Sequence, residues 1–204
     1  MKKFTIFLLS LILALTFFTA CGGSENQPEN AENRENNAQS GEVLPLRHVE
    51  MSIKDYGTVE LELDPNEAPV TVDNFIRLAS DGFYDGLTFH RIMDGFMIQG
   101  GADLSADLQP IVGEFSENGY ENNISHTEGV ISMARTNDPN SATSQFFITV
   151  ADPTYLDGNY AAFGHVTKGL DVYKKIAADA RPVDNNGTIP EDEQPVIEYI
   201  RVID

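Results

Sequence analysis

The chain of 204 residues is poor in cysteine, tryptophan and positive charge. It holds one cysteine, at position 21, and no tryptophan. A single cysteine excludes an internal disulfide framework and a zinc site built from several thiolates. Lysine and arginine number 13 against 32 aspartates and glutamates, a net charge of −19. Such a chain repels nucleic acid and anionic membrane surfaces, which excludes a polyanion-binding role. No repeat of solenoid length is present. The length suits one domain of ordinary size plus extras.

What is there begins with a leader. Lys2 and Lys3 precede an almost wholly apolar run, 4–18, broken only by Thr5, Ser10 and Thr16. That run is short of the roughly 20 residues of a bilayer span. A charged start, an apolar centre and small residues before a cut describe a secretory signal peptide over residues 1–20. Phe18-Thr19-Ala20-Cys21 resembles the lipobox of bacterial lipoproteins, although Phe18 stands where leucine is usual. The resemblance implies that Cys21 is lipidated and becomes the first residue of the mature chain. The expected location is extracytoplasmic, anchored by lipid to the bacterial cell membrane. Loss of Lys2 and Lys3 with the leader moves the charge from −19 to about −21 by the same count. Residues 21–45 continue as a polar stretch of Asn, Glu, Gln, Ser and Gly, which cannot bury enough apolar surface to order itself. It reads as a flexible tether; twenty such residues span about 25 Å root-mean-square.

The folded part spans residues 46–204. Residues 48–53 and 58–63 read as strands around an Asp55-Tyr56-Gly57 turn, with Val59, Leu61 and Leu63 alternating with Glu60 and Glu62. Over 67–80 the period changes. Val72, Phe75, Ile76 and Ala79 fall at helical spacing, and Asp81-Gly82 ends the helix. Short apolar runs at 87–92, 95–100, 129–134, 145–150, 161–166 and 196–203 are strand candidates, and 170–178 is a second helix. Many short strands with two isolated helices predict a mainly β antiparallel barrel or sandwich, its ends covered by the helices.

Three segments carry a resemblance. The first is Phe89-His90-Arg91-Ile92-Met93-Asp94-Gly95-Phe96-Met97-Ile98-Gln99-Gly100-Gly101. The second is Gly129-Val130-Ile131-Ser132-Met133-Ala134-Arg135, followed by Asn140 and Ser144-Gln145-Phe146-Phe147-Ile148. The third is Tyr155-Leu156-Asp157-Gly158, then Phe163-Gly164-His165-Val166. In order and spacing they resemble the cyclophilin family of peptidyl-prolyl isomerases, and the resemblance covers about residues 48–204. It implies an eight-stranded antiparallel β-barrel capped by two α-helices. It also implies catalysis of cis/trans exchange at X-Pro bonds, without metal or organic cofactor.

The residue types suit that chemistry. Rotation about an X-Pro amide crosses a barrier of about 18–20 kcal/mol because resonance is lost. No bond breaks, so the catalyst needs only to favour the twisted amide. As the amide twists, the proline nitrogen gains a lone pair that a fixed donor can meet. By resemblance Arg91 is that donor, and Gln99, the second catalytic residue, hydrogen-bonds the substrate backbone. Phe96, Met97, Phe147 and Leu156 line an apolar pocket for the proline ring. Gln145 bonds the substrate backbone, Ala134, Arg135 and Thr136 border the peptide groove, and Tyr155 and Tyr160 complete the binding set. His90 and His126 have no acidic or thiol partner at motif spacing, so they are read as structural rather than as a triad or metal set.

Three departures from the family stand out. Tyr155 replaces the tryptophan that contributes to binding of the cyclic peptide cyclosporin, which predicts weak cyclosporin binding. Tyr160 replaces a histidine beside the pocket, and a phenol still supplies an apolar face and one donor. Arg135 replaces asparagine, so its charge is expected to alter preference beside the proline. The acidic, turn-rich stretch 184–194 has no functional reading. The resulting expectation is a monomeric isomerase assisting proline-containing polypeptide clients outside the cytoplasm. The rival from another class is a non-catalytic module that binds proline peptides as a chaperone or scaffold. A solute-binding lipoprotein would need a larger, two-lobed body.

Overall fold

A computed structural model describes residues 43–204. The expected signal peptide, Cys21 and most of the tether lie outside the described residues. Eight strands and two α-helices follow in order: β1 (Arg47–Ile53), β2 (Gly57–Leu63), α1 (Pro69–Ser80), β3 (Phe89–Met93), β4 (Met97–Gly100), β5 (Val130–Met133), β6 (Phe146–Thr149), β7 (Ala162–Lys168), α2 (Leu170–Asp179) and β8 (Ile197–Val202). The strands form one antiparallel sheet in the order β3-β4-β6-β5-β7-β2-β1-β8. Its two edges meet at a bridge between Thr88 and Val196. There Phe89 N–H donates to the Pro195 carbonyl at 3.0 Å and Ile197 N–H to the Leu87 carbonyl at 2.8 Å. Meeting edges leave few unpaired backbone groups, which is the general advantage of a closed sheet.

The expected alternation is present. Val59, Leu61 and Leu63 face their β1 partners Met51, Val49 and Arg47, and all but the arginine are fully buried. Across four neighbouring strands, Ile92, Ile98, Ile148 and Ile131 fall in register and point into the barrel. The helices plug this interior. Phe75 of α1 lies 5.2 Å from Tyr84, 5.5 Å from Phe146 and 5.3 Å from Phe163 between ring centroids. Tyr173 of α2 is fully buried and meets Phe89 edge-on at 6.2 Å.

Of the boundaries that differ from the sequence expectation, two have a plain reason in the backbone bonding. The helix expected over 67–80 begins at Pro69, because the N–H groups of Glu67 and Ala68 turn back to the Asp64 carbonyl. Proline has no N–H to offer a helix and fits its first turn. The strand expected over 87–92 begins at Phe89, because Leu87 and Thr88 are engaged across the seam at Ile197 and Val196, and Thr88 meets only Gly101, past the end of β4. On α1 the buried face includes Leu78, while Ile76 is half-buried.

Candidate active site

A strand presents alternate side chains to opposite faces. The isoleucine row therefore has a companion row one residue away, facing outward: Arg91 on β3, Gln99 on β4, Phe147 on β6 and Ser132 on β5. Register alone brings together residues separated by up to 56 positions in sequence. Met97 lies two residues before Gln99 and so shares its face. Met97, Phe147 and Leu156 form a second apolar cluster outside the main core, with Met93, Phe96, Ala134 and Tyr160 packed on it.

The cluster is the floor of a pocket of about 200 Å³, lined by Arg91, Phe96, Met97, Gln99, Ala134, Arg135, Phe147, Leu156 and Tyr160. Nine of the twelve residues expected to act or bind thus border one cavity. The other three lie nearby. Gln145 accepts from the Gln99 side-chain amide at 3.1 Å, and its backbone carbonyl accepts the Ala134 N–H at 2.9 Å. Tyr155 is exposed and stacks on Phe96 with centroids 6.0 Å apart. Thr136 is exposed on the adjoining loop, where its N–H donates to the Ser141 hydroxyl at 2.9 Å.

Arg91 is held most firmly along one edge. Its Nε–H donates to the Asn186 carbonyl at 2.8 Å. Its Nη1 reaches Gln99 Oε1 at 3.2 Å and Met97 Sδ at 3.6 Å, and its Nη2 reaches Met93 Sδ at 3.3 Å. No carboxylate pairs with it among the described residues. Thioether sulfur is a weak acceptor, so the terminal N–H groups can change partner at small cost. Neighbouring His90 is held below the usual imidazole range by burial and by the Arg91 charge, and its Nδ1 has no hydrogen-bond partner.

The stretch 184–194, which carried no functional reading in the sequence, turns out to build the support for Arg91. Ile92 N–H donates to the Gly187 carbonyl and Ile189 N–H to the His90 carbonyl, so the loop runs as an added edge along β3. Asp184 folds the loop, accepting from Asn186 N–H at 2.9 Å, Thr188 N–H at 3.0 Å and the Thr188 hydroxyl at 2.8 Å. The Asp-Asn-Asn-Gly run signals a turn. Nothing local says which strand the turn approaches.

Sequence reading also left His126 without a partner, and the structure corrects this. Its Nδ1 lies 2.8 Å from Asp157 Oδ1 and its Nε2 lies 3.1 Å from Ser132 Oγ. A carboxylate only accepts, so Nδ1 carries the proton and Nε2 accepts from the serine. The partner is 31 residues away, far from any local spacing pattern. Burial, opposed by Asp157, holds His126 below the usual imidazole range. Burial would raise Asp157, but the His126 backbone N–H, the Ser125 hydroxyl and the His126 ring together bring it below the usual carboxylate range. Ser132 is fully buried, so this serine, histidine and aspartate form no nucleophile. The imidazole instead stacks behind Phe147 at 6.0 Å and 15°, backing the pocket floor.

Together these features define a small β-barrel protein with a pocket on its outer wall, where an apolar floor meets a fixed cation. Residues 48–202 match the family described as cyclophilin type peptidyl-prolyl cis-trans isomerase/CLD. The chain belongs to the cyclophilin family of peptidyl-prolyl cis-trans isomerases, a family of enzymes. Peptidyl-prolyl cis-trans isomerase A of Dickeya dadantii is 46% identical over 126 residues, 59% of this chain and 66% of that protein. A peptidyl-prolyl cis-trans isomerase of Acinetobacter baylyi is 42% identical over 143 residues, 68% of this chain and 76% of that protein. The crystal structure of a cyclophilin type isomerase from Cryptosporidium parvum shares the fold, with a TM-score of 0.67 at 24% identity over 78% of this chain and 99% of that one.

Proposed function

We propose that this chain accelerates cis/trans exchange at X-Pro bonds of exported proteins, with Arg91 donating to the prolyl nitrogen of the twisted amide. The observation that carries this reading is the state of Arg91. Its Nε–H is anchored, its terminal N–H groups meet only weak or neutral acceptors, and it borders an apolar pocket. Phe96, Met97, Phe147 and Leu156 hold the proline ring. Gln99 and Gln145, already bonded to each other, offer their uncommitted amide N–H donors to the substrate backbone. A guanidinium fixed before the substrate arrives needs no reorganisation as the amide twists. Gln99 keeps that guanidinium in register from across the strand pair.

The decisive experiment is cis/trans exchange of a short Ala-Pro peptide followed by NMR, with the full chain in non-ionic detergent. Arg91→Ala is expected to lower the rate by about 10²–10³, corresponding to about 3–4 kcal/mol. Exchange that survives Arg91→Ala rejects this mechanism. No exchange by the folded chain rejects the enzyme and leaves a proline-peptide-binding chaperone or scaffold.

The cellular setting is part of the same proposal. The enzyme works as a monomer on proline-containing clients, held to the outer face of the cell membrane through lipid on Cys21. Slow X-Pro exchange limits folding over tens of seconds or more, and exported chains fold after passage. Incorporation of a labelled fatty acid tests the anchor. Cys21→Ser is expected to abolish the label and release the protein from the membrane fraction; label retained in that variant rejects it.

A further inference from the structure

Thirteen lysines and arginines, three of them before residue 43, leave ten in the described chain. Arg47, Lys168, Lys174, Lys175 and Arg201 each pair with a carboxylate. Two of the others, Arg91 and Arg135, border the pocket, and no lining residue is acidic. In a protein of net charge −19, a rim with two cations and no carboxylate is a local reversal of sign.

Arg135 is held firmly, and held by neutral groups. Its guanidinium lies over Tyr160 at 4.7 Å and over Phe115 at 5.1 Å, between the two rings. Nε and Nη2 both donate to the Asn159 carbonyl, at 2.9 and 2.8 Å, and Nη1 donates to the Thr136 carbonyl at 2.8 Å. A guanidinium has five N–H donors, so two remain uncommitted. Asp138 and Asp157, in the segments that hold the guanidinium, form no ion pair with it among the described residues. Asp138 accepts from Asn140 N–H, and Asp157 accepts from His126 and Ser125. The charge is therefore oriented, desolvated on two faces and unneutralised.

We infer that Arg135 makes this pocket favour proline segments that carry an aspartate or glutamate within two residues of the proline. The inference rests on the isomerase reading of the site. A carboxylate takes two donors, and an arginine whose rotamer is already fixed loses little freedom on pairing. The protein's overall charge repels acidic peptides, but that field is screened within about 8 Å at physiological ionic strength, whereas a direct contact is not. The selectivity is thus short-ranged and belongs to the bound peptide. A contact made equally to planar and twisted amide acts on KM rather than kcat.

The test uses the full chain in non-ionic detergent and three peptide pairs. Each pair has glutamate or glutamine two residues before the proline, immediately before it, or immediately after it. NMR exchange below saturation reads the glutamate-to-glutamine rate ratio. The expected ratio at one position is about 3–6 at low salt, falling toward one in 0.5 M salt, as for a partly exposed ion pair. Arg135→Gln is expected to bring that ratio to about one, and Arg135→Lys to keep part of it. If Arg135 only braces Tyr160, both peptides of a pair slow together and the ratio stays put, which overturns the inference. A ratio near one at all three positions in the unaltered protein also overturns it, whether or not any variant folds. Exchange of no peptide at all instead removes the isomerase reading beneath it.

Discussion

The Nε–H of Arg91 donates to the backbone carbonyl of Asn186 at 2.8 Å, across 95 residues of sequence. That contact fixes one edge of the guanidinium and leaves the other over the pocket. It depends on the next residue. Gly187 has φ +86°, and a Cβ there would stand 2.6 Å from Met93 Cγ and 2.7 Å from the Ile92 carbonyl. Gly187→Ala is therefore expected to push the loop off β3 and release Arg91, at a stability cost of about 1–3 kcal/mol. A guanidinium misplaced by about 1 Å lowers the exchange rate by on the order of 10²-fold. Urea titration and NMR exchange measure the two effects separately. A variant that is destabilised yet fully active would show that the loop does not position Arg91.

Arg91→Lys separates charge from geometry. Lysine keeps the positive charge but lacks the planar fork, so it cannot hold Asn186 with one edge and present donors with the other. The expected loss is about 10–100-fold, smaller than for alanine, and in kcat rather than KM, because the donor is used chiefly by the twisted amide. Steady-state exchange kinetics over a range of peptide concentrations check this. A fall confined to KM would mean that Arg91 only binds.

Much of this was legible in the sequence because it is periodic. Alternation at Val59, Leu61 and Leu63 marks a half-buried strand wherever it occurs, and the spacing of Val72, Phe75 and Ala79 marks a helix face. The site residues were legible for a different reason: Arg91, Gln99 and Phe147 sit in segments that resemble a known family. What escaped notice depends on contacts distant in sequence. Asp157 meets His126, Asn186 meets Arg91 and Phe115 meets Arg135 through loop placement, which no local pattern records. Leu87 likewise reads as strand, and only the meeting of the sheet edges shows that it pairs with β8.

Glu114 supplies a helix cap from elsewhere in the chain. Ala68 precedes α1 and offers no side-chain acceptor. Glu114, 2% exposed, accepts instead from Val70 N–H at 3.0 Å, Thr71 N–H at 2.8 Å and the Thr71 hydroxyl at 2.7 Å. Glu114→Ala strands the two buried Thr71 donors and the half-buried Val70 N–H, and is expected to destabilise the fold by about 2–4 kcal/mol. Glu114→Gln keeps one acceptor oxygen and should lose roughly half as much. Urea denaturation read by circular dichroism checks both. Equal stability of the alanine variant and the unaltered protein would show that water replaces the carboxylate.

His126 makes stability depend on pH in a stated direction. Burial holds it below 6.5 in the folded protein, so the unfolded chain binds the proton more readily. Its contribution is fully present above pH 6.5 and is lost as the pH falls through the lowered value. Protonation at Nε2 would also break the bond donated by Ser132 and set a charge behind Phe147. His90, lowered by burial and by Arg91, acts in the same direction. Asp157 acts later: held below 3.8, its contribution survives until the pH falls beneath that value. Unfolding free energy is therefore expected to decline from pH 7.5 to 5.0, with a further decline in stronger acid. His126→Gln should start less stable and decline less over the first interval, since only His90 then remains of the two lowered imidazoles. Urea midpoints at pH 7.5 and 5.0 for both proteins decide the matter. An equal decline in the two would mean that the imidazole behind the pocket floor does not take up the proton.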